Sequence, residues 1–228
     1  MITAKQVAEI TGSKPNDLTL YTSAFTHRSY LNEHRGFNYA HNERLEFLGD
    51  AVLELVATEH LYKNYDHPEG ELTNFRSALV NYKILSQIGR RIGLEQYILM
   101  SRGEAKDMGR ARQVILANTI EALIGALYLD LGYEACKLFI EKEILKELPA
   151  IITGGTYLDP KSKLQEMIQD KHGITPTYGV LSESGPDHNK VFIVASFMGD
   201  KELGRGQGPS KQEGEIAAAE NALHNLGA

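Results

Sequence analysis

Residues 42–50 decide the fold, and they read Asn42-Glu43-Arg44-Leu45-Glu46-Phe47-Leu48-Gly49-Asp50. As a helix, this stretch places Glu43, Glu46 and Asp50 on one face, because residues three, four and seven apart are neighbours on a helix surface. Like charges on adjacent turns repel, and a bound divalent cation would offset the repulsion. A glycine inside a helix costs about 1 kcal/mol relative to alanine, so Gly49 predicts that another backbone approaches beside Asp50. A solvated acidic stripe is the alternative. A second, apolar face would hold Leu45, Leu48, Val52 and Leu55.

A second segment, residues 114–129, is apolar nearly all round, which is typical of a helix buried in a core. It is too short and too polar to span a membrane, so no membrane partner is predicted. Glu121 lies in its middle, where an ionised carboxylate is costly unless it is paired or bound to a metal ion. Asn118 and Gly125 lie one turn to either side. We expect the two helices to pack closely and to bring together Glu46, Asp50, Asn118 and Glu121. The alternative is that Glu121 is a protonated or hydrogen-bonded core glutamate.

At these residues the chain resembles the ribonuclease III family of double-stranded-RNA endonucleases. Residues 42–50 resemble the signature of the family, and residues 26–30, Thr26-His27-Arg28-Ser29-Tyr30, resemble a motif on its first long helix. Residues 115–130 resemble its second acidic helix, and the pair Glu69-Gly70 resembles its acidic loop. Residues 159–226 resemble the double-stranded-RNA-binding domain of bacterial members. The match covers nearly the whole chain in the order of the family.

The resemblance implies a Mg²⁺-dependent hydrolase, with Mn²⁺ as a possible substitute. Carboxylate-bound Mg²⁺ can activate water and neutralise the charge that develops during phosphodiester hydrolysis. The expected metal ligands are Glu46, Asp50, Asn118 and Glu121. Asp50 and Glu121 are also expected to be catalytic, with Glu43 and Glu69 in accessory roles; a solvated loop acid is the alternative for Glu69. The family usually carries aspartate where this chain has Asn118, so the site loses one negative charge.

The resemblance also implies a homodimer that cuts both strands of a duplex. The products would carry 5′-phosphates, 3′-hydroxyls and short 3′ overhangs, and the substrates would be structured precursor RNAs, ribosomal precursors among them. Two-fold symmetry suits an antiparallel duplex, because each strand then meets an equivalent site. Phe47 would insert into the partner subunit, with an ordinary core phenylalanine as the alternative. A rival function is a duplex-RNA-binding scaffold whose nuclease site is weakened or inactive because of Asn118.

Composition fits an intracellular protein but is unusual for one that binds RNA. Cys136 is the only cysteine among the 228 residues, which fits a reducing cytoplasm, and the N-terminus begins no apolar run of the kind that opens a signal peptide. The formal net charge is −6. Residues 151–228 contain seven Lys and Arg against ten Asp and Glu. Phosphate contacts supply much of the affinity for duplexes, so we expect weak, salt-sensitive binding.

The periodicity of the chain predicts an all-α nuclease domain followed by a small α+β domain of order α-β-β-β-α. The expected boundaries are 1–152 for the nuclease domain, 153–158 for a linker containing Gly154 and Gly155, and 159–228 for the RNA-binding domain. The main helices expected in the first domain cover residues 18–31, 43–62, 72–92, 110–131 and 133–148. Asp159 and Pro160 predict the start of the next helix as N-cap and first-turn proline.

Three surfaces of the second domain are expected to contact a duplex. One helix face would lie against 2′-hydroxyls in a minor groove, and it contains Ser162, Gln165, Glu166 and Gln169. His188 would enter the next minor groove from a turn. Ser210 and Lys211 would hold phosphates at the start of the last helix, although Gln212 stands where the family often has a second lysine. The alternative for each is an ordinary polar surface residue.

Overall fold

The computed structural model describes residues 1–106, 109–155, 157, 159–186 and 190–227. The chain divides into two compact units, Met1–Tyr157 and Leu158–Ala228. The first unit is helical, and the second is a three-stranded sheet with two helices, so the predicted fold class is confirmed. The division between the units falls within the predicted linker, residues 153–158.

The first unit is built from short helices around two long ones. Two 3₁₀ turns, Leu94–Tyr97 and Leu145–Glu147, connect some of them. The helices are α1 (Ala4–Thr11), α2 (Leu18–Ala24), α3 (Arg28–Glu33), α4 (Glu43–Asn64), α5 (Glu69–Leu79), α6 (Tyr82–Arg91), α7 (Arg102–Lys106), α8 (Arg110–Leu131), α9 (Tyr133–Glu143) and α10 (Leu148–Thr153).

Helix α8 lies at the centre of this unit and contacts α2, α4, α6, α7 and α9. Its residues are buried on nearly every side, which explains the absence of an amphipathic pattern in its sequence. Helix α4 packs against it, and the buried residues of α4 include Leu45, Val52 and Val56. Leu55, which we expected on the apolar face, is 57% exposed, so that part of the prediction is wrong.

On length and composition alone, α8 could cross a membrane, because it has 22 residues and its most apolar 18-residue stretch has a mean hydropathy of 1.6. The expectation that this segment is too short and too polar to span is therefore wrong. However, most of the helix is buried inside the protein, as is typical of the core helix of a globular domain. Burial by neighbouring helices accounts for its apolar composition.

The predicted helix over residues 18–31 is interrupted. Thr26 forms a parallel β-bridge with Leu99, and its hydroxyl donates to the carbonyl of Thr22. His27 then caps the new helix α3 by accepting a hydrogen bond from the backbone N–H of Ser29. The helix ends here because Thr26 and His27 do not continue its hydrogen-bond ladder. Thr26 pairs with a distant segment, and His27 caps the next helix.

The predicted helix over residues 72–92 is also two helices. The Asn81 side chain accepts hydrogen bonds from the N–H groups of Lys83 and Ile84 and so begins α6. The predicted helix over residues 133–148 likewise ends at Glu143. Pro149 lies in the first turn of α10, a position that suits proline because its missing N–H has no helical partner there.

The second unit has the predicted order. It consists of α11 (Pro160–His172), β1 (Thr177–Ser184), β2 (Val191–Met198), β3 (Lys201–Gly208) and α12 (Lys211–Asn225). The strands form an antiparallel sheet in the order β1-β2-β3, and Asp159 caps α11 as expected. The alanine-rich α12 lies directly on β3: a Cβ added at Gly204 would lie 2.4 Å from the backbone nitrogen of Ala222. The apolar cluster between helices and sheet includes Leu164, Ile168, Leu203 and Leu223.

Candidate active site

Two glycines bring the backbones of α4 and α8 into direct contact. A Cβ added at Gly49 would lie 1.7 Å from the carbonyl oxygen of Glu121, and one added at Gly125 would lie 2.1 Å from the carbonyl oxygen of Leu45. No side chain fits at either position without moving the helices apart. The predicted close packing of the two helices is confirmed, and the crossing places residues 46 and 50 of α4 beside residues 118 and 121 of α8.

The acidic side chains at this crossing influence one another. Burial, together with the charges of Asp50 and Glu46, raises the pKa of Glu121 to about 8. Burial also raises the pKa of Glu46, and the Glu43 and Asp50 charges act in the same direction. A hydrogen bond from the Asn118 side chain to Glu46 opposes this shift. The four residues predicted to assemble therefore lie together, although their roles as ligands stay a prediction.

Three of these four residues are acidic, and burial together with nearby carboxylates raises the pKa of two of them, Glu46 and Glu121. No group of three or more His, Cys, Asp or Glu side chains within the described ranges is arranged to hold a metal ion as it stands. Three carboxylates and an amide are oxygen donors, the type that Mg²⁺ and Ca²⁺ prefer. The donor set therefore fits a divalent cation, whose charge would stabilise the ionised form of Glu121.

Glu43 lies at the first position of α4, one turn before Glu46, and belongs to a different network. Its carboxylate is 3.4 Å from Arg28 Nη1 and 3.8 Å from His41 Nδ1. It is exposed, and its charge reaches the cluster by raising the pKa of Glu46. Sequence reasoning missed Arg28 as a neighbour of the site. The only available signal was its place in the motif over residues 26–30, because an ion pair across fifteen residues leaves no periodic pattern.

Glu69 is not brought to the cluster of its own chain. It begins α5 and accepts a hydrogen bond from the Thr73 hydroxyl, so its expected position on a loop is wrong: Pro68 precedes a helix that starts at Glu69. It lines a cleft of about 430 Å³ with Thr58 and Tyr62, among others. These two lie two to three turns beyond Asp50 on α4, which is roughly 12 to 18 Å along the helix.

Phe47 is 83% exposed, so the alternative of an ordinary core phenylalanine is wrong for the single chain. It lies at the edge of a mostly apolar groove of about 670 Å³, together with Leu20, Leu48 and Leu129. A large aromatic ring exposed beside an apolar groove is unusual on a monomeric surface and typical of a contact region.

In the second unit, the expected face of α11 is exposed to solvent. Gln165, Glu166 and Gln169 are all exposed, while Leu164 and Ile168 are buried. Ser162 is exposed too, but its hydroxyl and N–H both bond to the carboxylate of the N-cap residue. The glutamines and Glu166 therefore present the freer polar groups to a ligand.

The start of α12 is partly occupied by its own cap. The Ser210 hydroxyl accepts from the Glu213 N–H and donates to the Glu213 carboxylate, each at 3.2 Å. Lys211 and Gln212 are exposed. Among the residues expected here to bind phosphate, Lys211 supplies the positive charge. The expected contact at His188 lies outside the residues that the structure describes.

Comparison with known proteins places this arrangement in a family. Residues 17–148 match the family model described as Ribonuclease-III-like, and residues 160–226 match the double-stranded RNA binding motif. The chain belongs to the ribonuclease III family. It is 42% identical over 216 residues to Ribonuclease 3 of Desulforamulus reducens, covering 94% of this chain and 88% of that protein. It is 45% identical to Ribonuclease 3 of Borreliella afzelii, covering 91% and 85%.

A solved structure supports the assignment of the first unit. The nuclease domain of ribonuclease III from Campylobacter jejuni is 36% identical and superposes with a TM-score of 0.57, covering 64% of this chain and 99% of that domain. As a member of this family, the chain is an endoribonuclease, a hydrolase of metal-dependent type that binds double-stranded RNA through its second domain and acts in RNA processing. The predicted family and enzyme class are confirmed.

Proposed function

We propose that this protein is a Mg²⁺-dependent endonuclease that cuts double-stranded RNA into products with 5′-phosphates, 3′-hydroxyls and short 3′ overhangs. Its substrates are structured precursor RNAs in the cytoplasm, ribosomal precursors among them. The observation that carries the proposal is Glu121: a partly buried carboxylate, with its pKa raised to about 8, faces two further carboxylates from α4. Such an arrangement is costly for folding and characteristic of a functional site.

Glu46, Asp50, Asn118 and Glu121 would hold the cation, with Mn²⁺ as a possible substitute. When bound, the cation supplies charge neutralisation at the phosphate and activation of water. The Gly49–Gly125 crossing fixes the two helices, so that the carboxylates of α4 and α8 are held in a constant relation. Glu43 adjusts the charge on Glu46 from the neighbouring turn. Asp50 and Glu121 lie closest to the chemistry in this proposal, and Glu69 has an accessory role.

The second unit would hold the duplex. The exposed face of α11 with Gln165, Glu166 and Gln169 suits 2′-hydroxyls in a minor groove, and Ser162 extends that face. Ser210 and Lys211 at the start of α12 suit a phosphate, and His188 remains a candidate for a second minor groove.

A homodimer would supply the second cut, since one site cleaves one strand. Helix α4 supports such an assembly because three large apolar side chains project from it into solvent: Phe47 at 83% exposure, Leu55, and Tyr62 at 81%. Burying them would stabilise a two-fold dimer in which each Phe47 enters the apolar groove of the other chain.

A second function is favoured by one observation. Asn118 contributes an amide where the family usually has a carboxylate, and it donates a hydrogen bond to Glu46. A site with one charge fewer binds a divalent cation less tightly. If that loss is large, the chain acts mainly as a double-stranded-RNA-binding scaffold.

The test is cleavage of a labelled long RNA duplex by the full chain, with Mg²⁺ or EDTA, by wild type and Glu121→Gln. The amide removes a negative donor while keeping the size of the side chain. We expect product ends as stated with Mg²⁺, none with EDTA, and at least a thousandfold slower cleavage by Glu121→Gln, which is roughly 4 kcal/mol in activation energy. RNA binding by the variant should be unchanged. Wild-type binding without cleavage at any Mg²⁺ concentration would instead favour the scaffold.

A further inference from the structure

A polar cleft next to the candidate metal site has no assigned role. It has a volume of about 580 Å³ and opens between the start of α3 and the first turns of α8. That volume is sufficient for a phosphate and part of its nucleotide. Its polar lining consists of His27, Arg28, Ser29, Asn32, Glu104 and Arg110.

The cleft adjoins the metal site along both helices that build that site. On the α4 side, Arg28 at its edge forms the 3.4 Å ion pair with Glu43, one turn before Glu46. On the α8 side, the cleft is floored by Val114 and Ile115, which lie one turn before Asn118. A strand held at the metal site would therefore pass the cleft within one or two nucleotides.

The lining offers hydrogen-bond donors and a permanent positive charge. Burial lowers the pKa of His27, so the ring is neutral at pH 7. Its Nδ1 lies 2.7 Å from the Ser29 hydroxyl and 3.4 Å from the Ser29 backbone nitrogen. Arg28 carries a planar fork of N–H groups, the geometry that matches two oxygens of a phosphate.

The Arg28–Glu43 pair is weak enough to exchange. The Arg28 side chain is 71% exposed, and exposed pairs of this kind contribute little to stability because solvent screens them. A bidentate contact with a phosphate is stronger. Glu104 is the opposing charge in the cleft, and its carboxylate disfavours an anion there.

We propose that this cleft binds a backbone phosphate of the substrate RNA one or two linkages from the cleaved bond, with Arg28 as the residue that contacts it. The inference rests on the proposed metal site, because the metal site sets which phosphate reaches the cleft. Arg28 is then a substrate-positioning residue that aligns the scissile bond, and Glu104 limits the affinity so that the product can leave.

The experiment uses the full chain and a short RNA duplex that is cut at one position. In a series of substrates, one phosphate at a time is replaced by a neutral methylphosphonate, and kcat/KM is measured for each. With wild type, one replacement within two linkages of the cut should lower kcat/KM about tenfold, the effect of one hydrogen bond to a charged group. Arg28→Ala should lower kcat/KM about tenfold on unmodified RNA and should be insensitive to that replacement, because the two changes remove one contact.

Three further variants sharpen the test. Arg28→Lys should recover part of the activity, and Glu104→Gln should raise kcat/KM at moderate salt. Lys5→Ala, which removes an exposed, paired cation on α1 away from the cleft, should behave as wild type. The dependence of log kcat/KM on log salt should become shallower by about 1 in Arg28→Ala only.

An Arg28→Ala protein with the same methylphosphonate profile as wild type would overturn the proposal. A second result would also overturn it: Glu43→Gln lowers activity as much as Arg28→Ala does, and neither variant changes the methylphosphonate profile. Arg28 would then act only by holding Glu43. The proposed metal site fails separately: full cleavage by Glu121→Gln would refute it while leaving the methylphosphonate profile as evidence for the cleft.

Discussion

The side chain of Asn118 determines the net charge of the candidate metal site, because it is a neutral amide where the family usually has a carboxylate. Its amide donates to Glu46 and so favours the ionised form of that carboxyl, whereas an aspartate would repel it. The same position therefore acts in opposite directions with and without a cation. Without a cation, asparagine costs less folding free energy than aspartate would. With a cation, aspartate would give the site a higher affinity for the metal ion.

Replacing Asn118 by Asp should lower the Mg²⁺ concentration for half-maximal cleavage roughly tenfold, because one more charge faces the cation at short range. In EDTA the same variant should unfold at a lower temperature than wild type, since a further carboxylate joins Glu46 and Glu121. Cleavage titrations and thermal unfolding with and without Mg²⁺ measure both effects. Asn74→Asp, on the exposed surface of α5, is the charge-matched control. Identical titrations for wild type and Asn118→Asp would exclude position 118 as a ligand.

The acidic residues of the site could be predicted from the sequence because they obey local rules. Helical spacing placed Glu46 near Asp50, and the cost of a buried charge singled out Glu121. Arg28 and the cleft around it could not be predicted in this way. Their positions depend on how α3 packs beside α4 and α8, and no local pattern encodes a contact between distant segments.

At the scale of elements, the α4–α8 crossing depends on having no side chain at Gly49. Gly49→Ala would place a methyl group 1.7 Å from the Glu121 carbonyl oxygen, so the helices must separate. We expect a loss of about 3 kcal/mol in the free energy of unfolding, despite the better helix propensity of alanine, together with loss of cleavage. Gly70→Ala in α5 meets nothing within 4 Å and should stabilise by roughly 0.5 to 1 kcal/mol. Urea denaturation of both variants tests this, and equal stabilities would show that the crossing tolerates separation.

Helices α6 and α9 are joined by Glu143, which is 6% exposed and lies 3.1 Å from Lys146, 3.2 Å from Lys142 and 3.6 Å from Arg91. Burial alone would raise the pKa of Glu143, but hydrogen bonds from Lys146 and Lys142 outweigh it and hold the pKa below its ordinary value of 4.5. A carboxyl with a depressed folded-state pKa contributes stability that is fully present above its unfolded-state pKa and is lost as the pH falls through the folded-state pKa.

Glu143→Gln should therefore destabilise the protein by about 2 kcal/mol at pH 7, because it removes hydrogen bonds to a charged group. The difference from wild type should shrink as the pH falls below about 4.5. Glu141→Gln, an exposed position on the same helix, should show neither effect. Denaturation midpoints between pH 3.5 and 7 measure the trend. A difference that stays constant over this range would mean that Glu143 does not act through its charge.

The element boundaries show where local rules fail. The helix breaks at Thr26 and at Asn81 lie inside segments with continuous helical periodicity. A prediction from periodicity alone therefore treats each segment as a single helix. Asn81 is a strong N-cap residue, and that signal was present in the sequence. Thr26 gave no comparable signal, because its bridge to Leu99 is a tertiary contact.

At the scale of the whole molecule, an acidic chain has to hold an acidic duplex. Seven Lys and Arg in residues 151–228 limit the phosphates that the second unit can neutralise, and Lys161 and Arg205 among them are paired with Glu215 and Glu202. Affinity should therefore depend on uncharged contacts to 2′-hydroxyls and on cations that the nuclease unit recruits. The chain order of the two units and the class of each followed from sequence periodicity.

The end of the nuclease unit can be located by truncation. Tyr157 packs edge-on against Phe75 with ring centroids 4.5 Å apart, and α10 continues to Thr153, so the predicted boundary at residue 152 cuts into packed structure. A fragment of residues 1–157 should fold, dimerise and cut duplexes at low salt only. A fragment of residues 1–152 loses the aromatic pair, worth about 1 kcal/mol, and should melt about 3 °C lower. Tyr157→Ala in the fragment 1–157 should reproduce most of that decrease. Equal melting temperatures for the two fragments would show that the unit ends before residue 153 and that the contact with Phe75 adds nothing to its stability.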